Sequence, residues 1–240
     1  MSKKTTISAA EIARFSALAD EWWDMNGSFA PLHAFTPIRV EYIRDRICTH
    51  FKRDKNKPTP LNGIKIMDIG CGGGLLCEPL ARLGAEITGI DAAHKNIEVA
   101  KIHAKKMKLD IAYHCAAPEQ MSEMAEQFDV VLNMEVVEHV ENVALFLQSS
   151  ATMLTPNGMM LVATLSRTAK SFLLAIIGAE YILRWLPRGT HEWDKFLLPD
   201  ELAKMLEQAG LEIKERIGVR YHPISRKWSL SPDMDVNYMI

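Results

Sequence analysis

The chain has 240 residues, of which 48% are hydrophobic and 24% charged, a composition typical of one globular domain and not of a fibrous or disordered protein. A formal net charge of −2 provides no overall excess of positive charge, so we expect no nucleic-acid partner. The four scattered cysteines and the absence of a signal-peptide pattern favour a reducing, cytoplasmic setting.

Residues 1–57 have a helical pattern and are predicted to form an N-terminal cap. Apolar residues recur at helical spacing between Ile12 and Trp22, and Ile38–Phe51 gives a second candidate helix. Pro31 and Pro37 lie between the two segments and are predicted to break the helix there.

Residues 62–165 alternate strand-like apolar runs with helical segments. The predicted strands are 64–69, 85–90, 112–114, 128–132 and 159–164, and helices are predicted at 75–83 and 96–107. Strands separated by helices form βαβ units, which predicts an α/β fold with a doubly wound, mostly parallel, Rossmann-like sheet. Ligands of such sheets bind at the carboxyl ends of the strands.

After the fifth strand we predict a helical insertion over residues 166–195. Residues 196–240 are predicted to carry a helix over 200–208, a strand at Leu211–Ile213 and a polar, irregular tail. All four segments are expected to belong to one domain, 1–240.

A glycine-rich loop follows the first predicted strand. Gly70, Gly72 and their neighbours allow close approach of the backbone to a ligand at the start of a helix. The dinucleotide fingerprint GxGxxG fails, because its third glycine would fall at Leu75 or Cys77. The loop also lacks the Lys-Ser/Thr pair of a P-loop, so NAD and ATP are disfavoured.

Asp91 follows the second predicted strand, 21 residues after Gly70. A carboxylate at the tip of the neighbouring strand can accept hydrogen bonds from both hydroxyls of a ribose. The alternative is a cap for the following helix. Next to the glycine loop, the ribose interpretation is favoured.

Together these motifs resemble the class I S-adenosylmethionine-dependent methyltransferases. The similar stretches are Asp68-Ile-Gly-Cys-Gly-Gly-Gly, Gly89-Ile-Asp, Phe128-Asp-Val-Val and Leu154-Thr-Pro-Asn-Gly. The resemblance implies that S-adenosylmethionine is the cofactor, that Gly70 and Gly72 line the methionine and ribose region, that Asp68 lies beneath the methionine and that Asp91 holds the ribose.

A narrower resemblance covers nearly the whole chain. The chain is similar to the ubiquinone-biosynthesis O-methyltransferases at Phe15, Trp22-Trp-Asp and residues 31–33, 37–43, 134–140 and 235–239. That family methylates polyprenylated catechol-type rings at two steps, which implies a polyprenyl phenol or quinol substrate and a biosynthetic complex as a partner. The resemblance also implies that Arg39 contacts the methionine carboxylate and Met134 lines the cofactor pocket.

Methyl transfer to a phenol requires that the hydroxyl lose its proton, to a general base or with the help of a divalent cation. Glu135, Glu138 and His139 follow the fourth strand and would share one face if this stretch were helical. They are therefore the predicted Mg²⁺ ligands, in agreement with the family resemblance. His139, as the general base, and Glu138 are also the predicted catalytic residues. On the residues alone, the alternative is that Glu138 is a helix-start acid favoured by the helix dipole and that His139 is a packed or substrate-lining residue.

Basic residues flank the apolar part of the insertion. Arg167, Lys170, Arg184 and Arg188 surround this stretch, which is too short to span a bilayer. Two interpretations of this segment stay open. Either it is a lid buried on the core, or residues 166–193 make peripheral contact with the inner face of an anionic membrane. A polyprenyl substrate favours the membrane.

The expected function is thus O-methylation of polyprenylated intermediates at both steps of ubiquinone biosynthesis. Two alternatives stay open: a methyltransferase for another small molecule, and a catalytically silent cofactor-binding scaffold in a biosynthetic complex. The complete set of motif residues argues against the scaffold.

Overall fold

Eight strands form one sheet in the computed structural model, which describes residues 5–124, 126–173, 193–222 and 227–240. The strands are β1 Lys65–Ile69, β2 Glu86–Asp91, β3 Ala112–Cys115, β4 Phe128–Met134, β5 Leu154–Leu165, β6 Ile217–His222, β7 Lys227–Ser231 and β8 Asn237–Met239. Their order in the sheet is β3-β2-β1-β4-β5-β8-β6-β7.

The first five strands are parallel, which confirms the predicted doubly wound fold. From β1 the chain moves outward through β2 to β3 and then returns to the other side of β1 with β4. The order of the strands therefore reverses between β1 and β4. In an open parallel sheet such a reversal produces a crevice at the carboxyl ends of the two strands, where ligands bind.

Eight helices are described. They are α1 Ala9–Ala17, α2 Ala30–His50, α3 Cys77–Arg82, α4 His94–Lys106, α5 Pro118–Ser122, α6 Val143–Thr152, α7 Ala169–Ser171 and α8 Pro199–Gln208. The bounds of α3, α4 and α8 agree with those of the predicted helices within two residues. These segments have clear apolar spacing and local end signals, so the sequence was sufficient to find them.

The predicted break at Pro37 is wrong, because Pro37 lies inside α2, which begins at Ala30. Pro31 lies in the first turn, where a helix does not need the missing backbone N–H. Pro37 is interior and is tolerated because the following turns bury Tyr42, Ile43 and Ile47 in the core. Tertiary packing outweighs a local cost of about 3 kcal/mol.

The prediction for the C-terminal tail is also wrong in two respects. Residues 211–213 have no regular structure, and the strand begins at Ile217 instead. The tail is not irregular, since β6 and β7 form an antiparallel pair and β8 lies between β6 and β5. These short strands are stabilised by partners far along the chain, so the local pattern does not reveal them.

The centre of the sheet is buried on both faces. Along β4, Val130, Leu132 and Met134 face one apolar cluster, which includes α2. Val131 lies in the other cluster, together with Phe146 of α6. Helices therefore cover both faces of the parallel strands, and only the strand ends are open to a ligand.

Most of the predicted insertion, residues 174–192, lies outside the described residues. The described start of the insertion contains α7 and then Phe172 and Leu173, which are 42% and 57% exposed. Within the described ranges, no helix has the length and apolar character that crossing a membrane requires.

Candidate active site

The glycine loop leaves the carboxyl end of β1, at the crevice beside β4. The amides of Gly70 and Cys71 both donate to the carbonyl of Ile90, at 2.8 and 2.9 Å, which ties the loop to the end of β2. Gly72 has φ +53°, a conformation that side chains disfavour, and a Cβ there would lie 2.3 Å from the Trp22 ring. The loop is thus a close-packed turn in which glycine is required.

Asp91 reaches back to this loop from the end of β2. Its Oδ2 accepts a hydrogen bond from the Gly72 amide at 3.0 Å. Its Oδ1 accepts from the Ala93 amide at 2.8 Å and from the side chain of Asn96 at 3.2 Å. Burial raises the pKa of Asp91, although these hydrogen bonds oppose the rise. The carboxylate therefore joins the glycine loop and also binds the turn before α4, and its contact with a ribose stays a prediction.

Asp68 lies within β1, two residues before Gly70, and is only 2% exposed. Its Oδ2 accepts a hydrogen bond from the thiol of Cys77 at 3.1 Å. Burial raises the pKa of Asp68 to about 7, and the hydrogen bond from Cys77 only partly offsets this effect. The predicted floor of the methionine site is therefore an acid with little access to water.

Arg39 enters the crevice from α2 and meets Glu135, which directly follows β4. The two side chains form an ion pair with Nη2 and Oε1 2.7 Å apart, and the guanidinium also stacks over Phe35 at 3.8 Å. Arg39 is buried, and its Nε has no hydrogen-bond partner among the described residues. A buried guanidinium with an unused donor fits a carboxylate ligand, as predicted for the methionine end of the cofactor.

Met134, the last residue of β4, is also buried. It packs in the apolar cluster that contains Phe35 of α2 and Cys71 of the glycine loop. The predicted cofactor residues Arg39, Asp68, Gly70, Gly72, Asp91 and Met134 are thus on the loop, on the adjacent ends of β1, β2 and β4, or on the helix that covers them.

Glu138 and His139 belong to a short 3-10 turn, Val137–His139. Glu138 is 3% exposed, and its Oε2 accepts from the Thr164 hydroxyl at 2.8 Å. Its Oε1 is buried without a partner among the described residues. Burial, followed by the nearby charge of Glu135, raises the pKa of Glu138 well above the usual value of a carboxyl group.

His139 faces the N-terminal helix α1. Its Nδ1 lies 3.1 Å from Oε2 of Glu11, and Phe15 makes an edge contact with the ring at 5.4 Å. The Arg14 guanidinium is 3.4 Å from the same nitrogen. Because Arg14 can only donate, the shorter contact with the carboxylate favours the tautomer with its proton on Nδ1, which gives Nε2 the lone pair.

The predicted metal ligands are not brought together in this arrangement. The spacing argument assumed a helix from 135 to 139, but Glu135 has φ +58° and only the last three residues form a turn. Glu135 therefore turns to Arg39, Glu138 to Thr164 and His139 to Glu11. Across the described ranges, no three His, Cys, Asp or Glu side chains form a group that could hold a metal ion. A metal requirement stays a prediction.

The N-terminal cap adds contacts that the motifs did not indicate. Trp22 stacks on Phe29, with ring centroids 3.8 Å apart, and the indole of Trp23 donates to the carbonyl of Gly73 at 3.0 Å. On the residues alone, the two tryptophans are expected either to close over the cofactor or only to pack the N-terminal helix. The structure places both against the glycine loop. Asn96 was missed altogether, because nothing in the sequence distinguishes it from other polar residues of a helix.

Comparisons with known proteins agree with this geometry. Residues 40–216 match the family model described as a methyltransferase domain. The chain is 55% identical over 238 residues to the ubiquinone biosynthesis O-methyltransferase of Chelativorans sp. (strain BNC1), covering 99% of this chain and 94% of the relative. It is 54% identical over 237 residues to the protein of the same name from Brucella ovis, covering 99% and 96%.

Solved structures with low sequence identity share the fold. The plantazolicin methyltransferase BpumL, in complex with a desmethylPZN analog and SAH, has a TM-score of 0.63 at 19% identity and covers 96% of this chain and 95% of its own. The magnesium protoporphyrin IX methyltransferase ChlM from Synechocystis PCC 6803, with bound SAH, has a TM-score of 0.60 at 16% identity, covering 96% and 92%. The fold, the glycine loop and the sequence similarity over nearly the full length thus agree. The chain belongs to the family of ubiquinone biosynthesis O-methyltransferases.

Proposed function

We propose that this chain transfers a methyl group from S-adenosylmethionine to a ring hydroxyl of polyprenylated catechol-type intermediates, at both O-methylation steps of ubiquinone biosynthesis. Its family membership makes it an S-adenosylmethionine-dependent O-methyltransferase of the ubiquinone pathway. The observation that carries the substrate class is the identity of 55% over 99% of the chain with a relative of that name. The two steps and the polyprenyl tail are the finer part of the proposal.

The residues at the crevice suit each end of the cofactor. Asp91 offers a carboxylate to the ribose, and the buried Arg39 guanidinium offers a donor to the methionine carboxylate. Met134 and Asp68 lie between these two ends, at β4 and β1. When bound, the cofactor supplies an electrophilic methyl group on a sulfonium.

The protein then has to position the hydroxyl and remove its proton. A phenol has a pKa near 10, so a positioned base is needed near neutral pH. We assign this role to Nε2 of His139, whose ring orientation is set by Glu11. With the cofactor bound, His139 would take the proton of the hydroxyl as the substrate oxygen received the methyl group, and S-adenosylhomocysteine would be the leaving group. The chemical role predicted for Glu138 stays open.

A methyl-transfer assay on a polyprenylated catechol tests the proposal. We expect a methyl ether and S-adenosylhomocysteine in equal amounts, and a rate at least about 100-fold lower for His139→Ala. Asp91→Ala should weaken S-adenosylhomocysteine binding by about 10-fold or more in calorimetry, since it removes a charged acceptor. No methylation of the catechol by a protein that binds the cofactor would contradict the substrate class.

The same assay with Mg²⁺ and with a chelator decides the proton acceptor. Equal product under both conditions is expected if His139 acts directly. Loss of product with the chelator, restored by Mg²⁺, would assign the step to a metal instead.

Unchanged cofactor affinity in Asp91→Ala would refute the ribose assignment.

We further propose that segment 166–193 contacts an anionic membrane, where a polyprenyl substrate resides. Exposed Phe172 and Leu173 at the described edge of the segment support this, since exposed apolar side chains suit a lipid interface. Co-sedimentation with vesicles that contain anionic phospholipid should exceed that with neutral vesicles, and Phe172→Ser with Leu173→Ser should reduce it. Equal, negligible binding to both vesicle types by the folded protein would refute the proposal.

A further inference from the structure

Asn96 is a buried polar residue in the first turn of α4 that the proposed chemistry does not use. It is only 1% exposed. Its side-chain oxygen accepts a hydrogen bond from the Trp22 indole at 2.9 Å, and its side-chain nitrogen donates to Oδ1 of Asp91 at 3.2 Å. A single amide thus joins the N-terminal cap to the carboxylate that we assign to the ribose.

The direction of these two hydrogen bonds is determined by chemistry. An indole N–H can only donate, so Asn96 must present its oxygen to Trp22. Its NH₂ group must then face Asp91, and an ionised carboxylate can only accept. The amide therefore has one orientation that satisfies both neighbours, and rotating it by 180° would break both bonds.

Trp22 is itself held in place by the cap and the loop. Its ring stacks on Phe29 with an interplanar angle of 5° and lies directly against Gly72 and Gly73. The carbonyl of Trp22 lies 2.9 Å from Nε2 of His33 on α2. The series of hydrogen bonds from Trp22 through Asn96 to Asp91 therefore begins at a ring held by its neighbours. It ends at the carboxylate that binds the glycine loop.

The hydrogen bonds to Asp91 restrict the rotation of its carboxylate. A carboxylate offers about four acceptor positions. Within the described residues, Oδ1 uses two of them, for Ala93 and Asn96, whereas Oδ2 uses one, for Gly72. One acceptor position therefore remains, on Oδ2 beside the loop. Because Asn96 donates to Oδ1, the position on Oδ2 stays available for a hydroxyl donor.

We propose that Asn96 is a positioning residue, which orients the remaining acceptor position of the Asp91 carboxylate toward a ribose hydroxyl and couples Asp91 through Trp22 to the N-terminal cap. The inference rests on the proposed function, because it takes Asp91 as the ribose ligand. Asn96 itself touches neither the cofactor nor the reacting atoms in this proposal. Its effect on binding must therefore pass through Asp91.

A double-mutant cycle with S-adenosylhomocysteine, measured by calorimetry, tests this dependence. Asn96→Ala should weaken binding about 5-fold to 10-fold in the wild-type background and less than about 2-fold in the Asp91→Ala background. Asn96→Asp should weaken it further, because it places a second carboxylate against Asp91. Trp22→Phe, which keeps the ring and removes the donor, should weaken it about 2-fold to 4-fold.

Asn142→Ala is the matched control for a general loss of stability. The Asn142 side chain caps α6 by accepting from the Leu145 amide at 3.0 Å. This variant should lower Tm while leaving the affinity unchanged. If Asn96→Ala does not fold, Asn96→Asp and Trp22→Phe complete the test.

The outcomes separate the two proposals. No change in affinity for Asp91→Ala would refute the ribose assignment and, with it, the role of Asn96. A large effect of Asp91→Ala together with an equal loss from Asn96→Ala in both backgrounds would overturn the positioning role alone. An effect of Asn96→Ala below 2-fold in the wild-type background would also overturn it.

Discussion

Gly72→Ala is expected to weaken S-adenosylhomocysteine binding at least about 50-fold, the equivalent of more than 2 kcal/mol. The added Cβ would lie 2.3 and 2.4 Å from two carbons of the Trp22 ring, closer than any real contact. Either Trp22 or the loop must move. Because the Gly72 amide also donates to Asp91, movement of the loop disturbs the proposed ribose ligand. Calorimetry measures the affinity, and thermal unfolding shows whether the variant is folded.

Gly63→Ala is the matched control, because it changes the backbone preference without a collision. Gly63 also has a positive φ, +72°, but nothing lies within 4 Å of an added Cβ. Both variants carry a backbone cost of about 1–2 kcal/mol, which lowers Tm. Only Gly72→Ala should lose affinity. Similar affinities in the two variants would show that the loop is not the cofactor site.

Arg39→Met is expected to reduce affinity for S-adenosylhomocysteine at least about 100-fold and to lower the free energy of unfolding by about 3 kcal/mol. The affinity falls because the variant lacks the buried guanidinium that we propose as the donor to the methionine carboxylate. The stability falls for a different reason, since Glu135 loses the partner of its 2.7 Å ion pair. Calorimetry and denaturant unfolding measure the two effects separately.

The double variant Arg39→Met with Glu135→Gln distinguishes these effects. Neutralising Glu135 removes the uncompensated charge, so most of the stability should return. The affinity should stay low, because the guanidinium is still missing. If affinity returned together with stability, Arg39 would have only a structural role, and the predicted contact with methionine would be wrong.

The proximity of the glycine loop and Asp91 could be predicted because the signals for both are local. The glycine loop directly follows β1, and Asp91 directly follows β2. Adjacent parallel strands end at the same edge of a sheet, so these two motifs had to be neighbours once the strands were identified. The strands themselves were found from short apolar runs that are buried on both faces.

The predicted metal site depended on a local assumption that the structure does not support. Residues at i, i+3 and i+4 share a face only on a continuous helix. The left-handed conformation of Glu135 prevents a continuous helix from starting immediately after β4. Arg39, which lies 96 residues earlier, forms an ion pair with the Glu135 carboxylate. No local pattern could indicate a pair formed across the crevice.

By itself, the sequence determined the parallel cofactor sheet, the loop at its carboxyl edge and the family of the protein. Only the tertiary structure decided that α2 continues through Pro37, that the tail adds three antiparallel strands beyond β5, and that Trp22 meets Asn96. The physical reason is the range of the interactions. Periodicity and glycine conformation act over a few residues, whereas core packing, ion pairs and strand pairing join residues that are far apart along the chain.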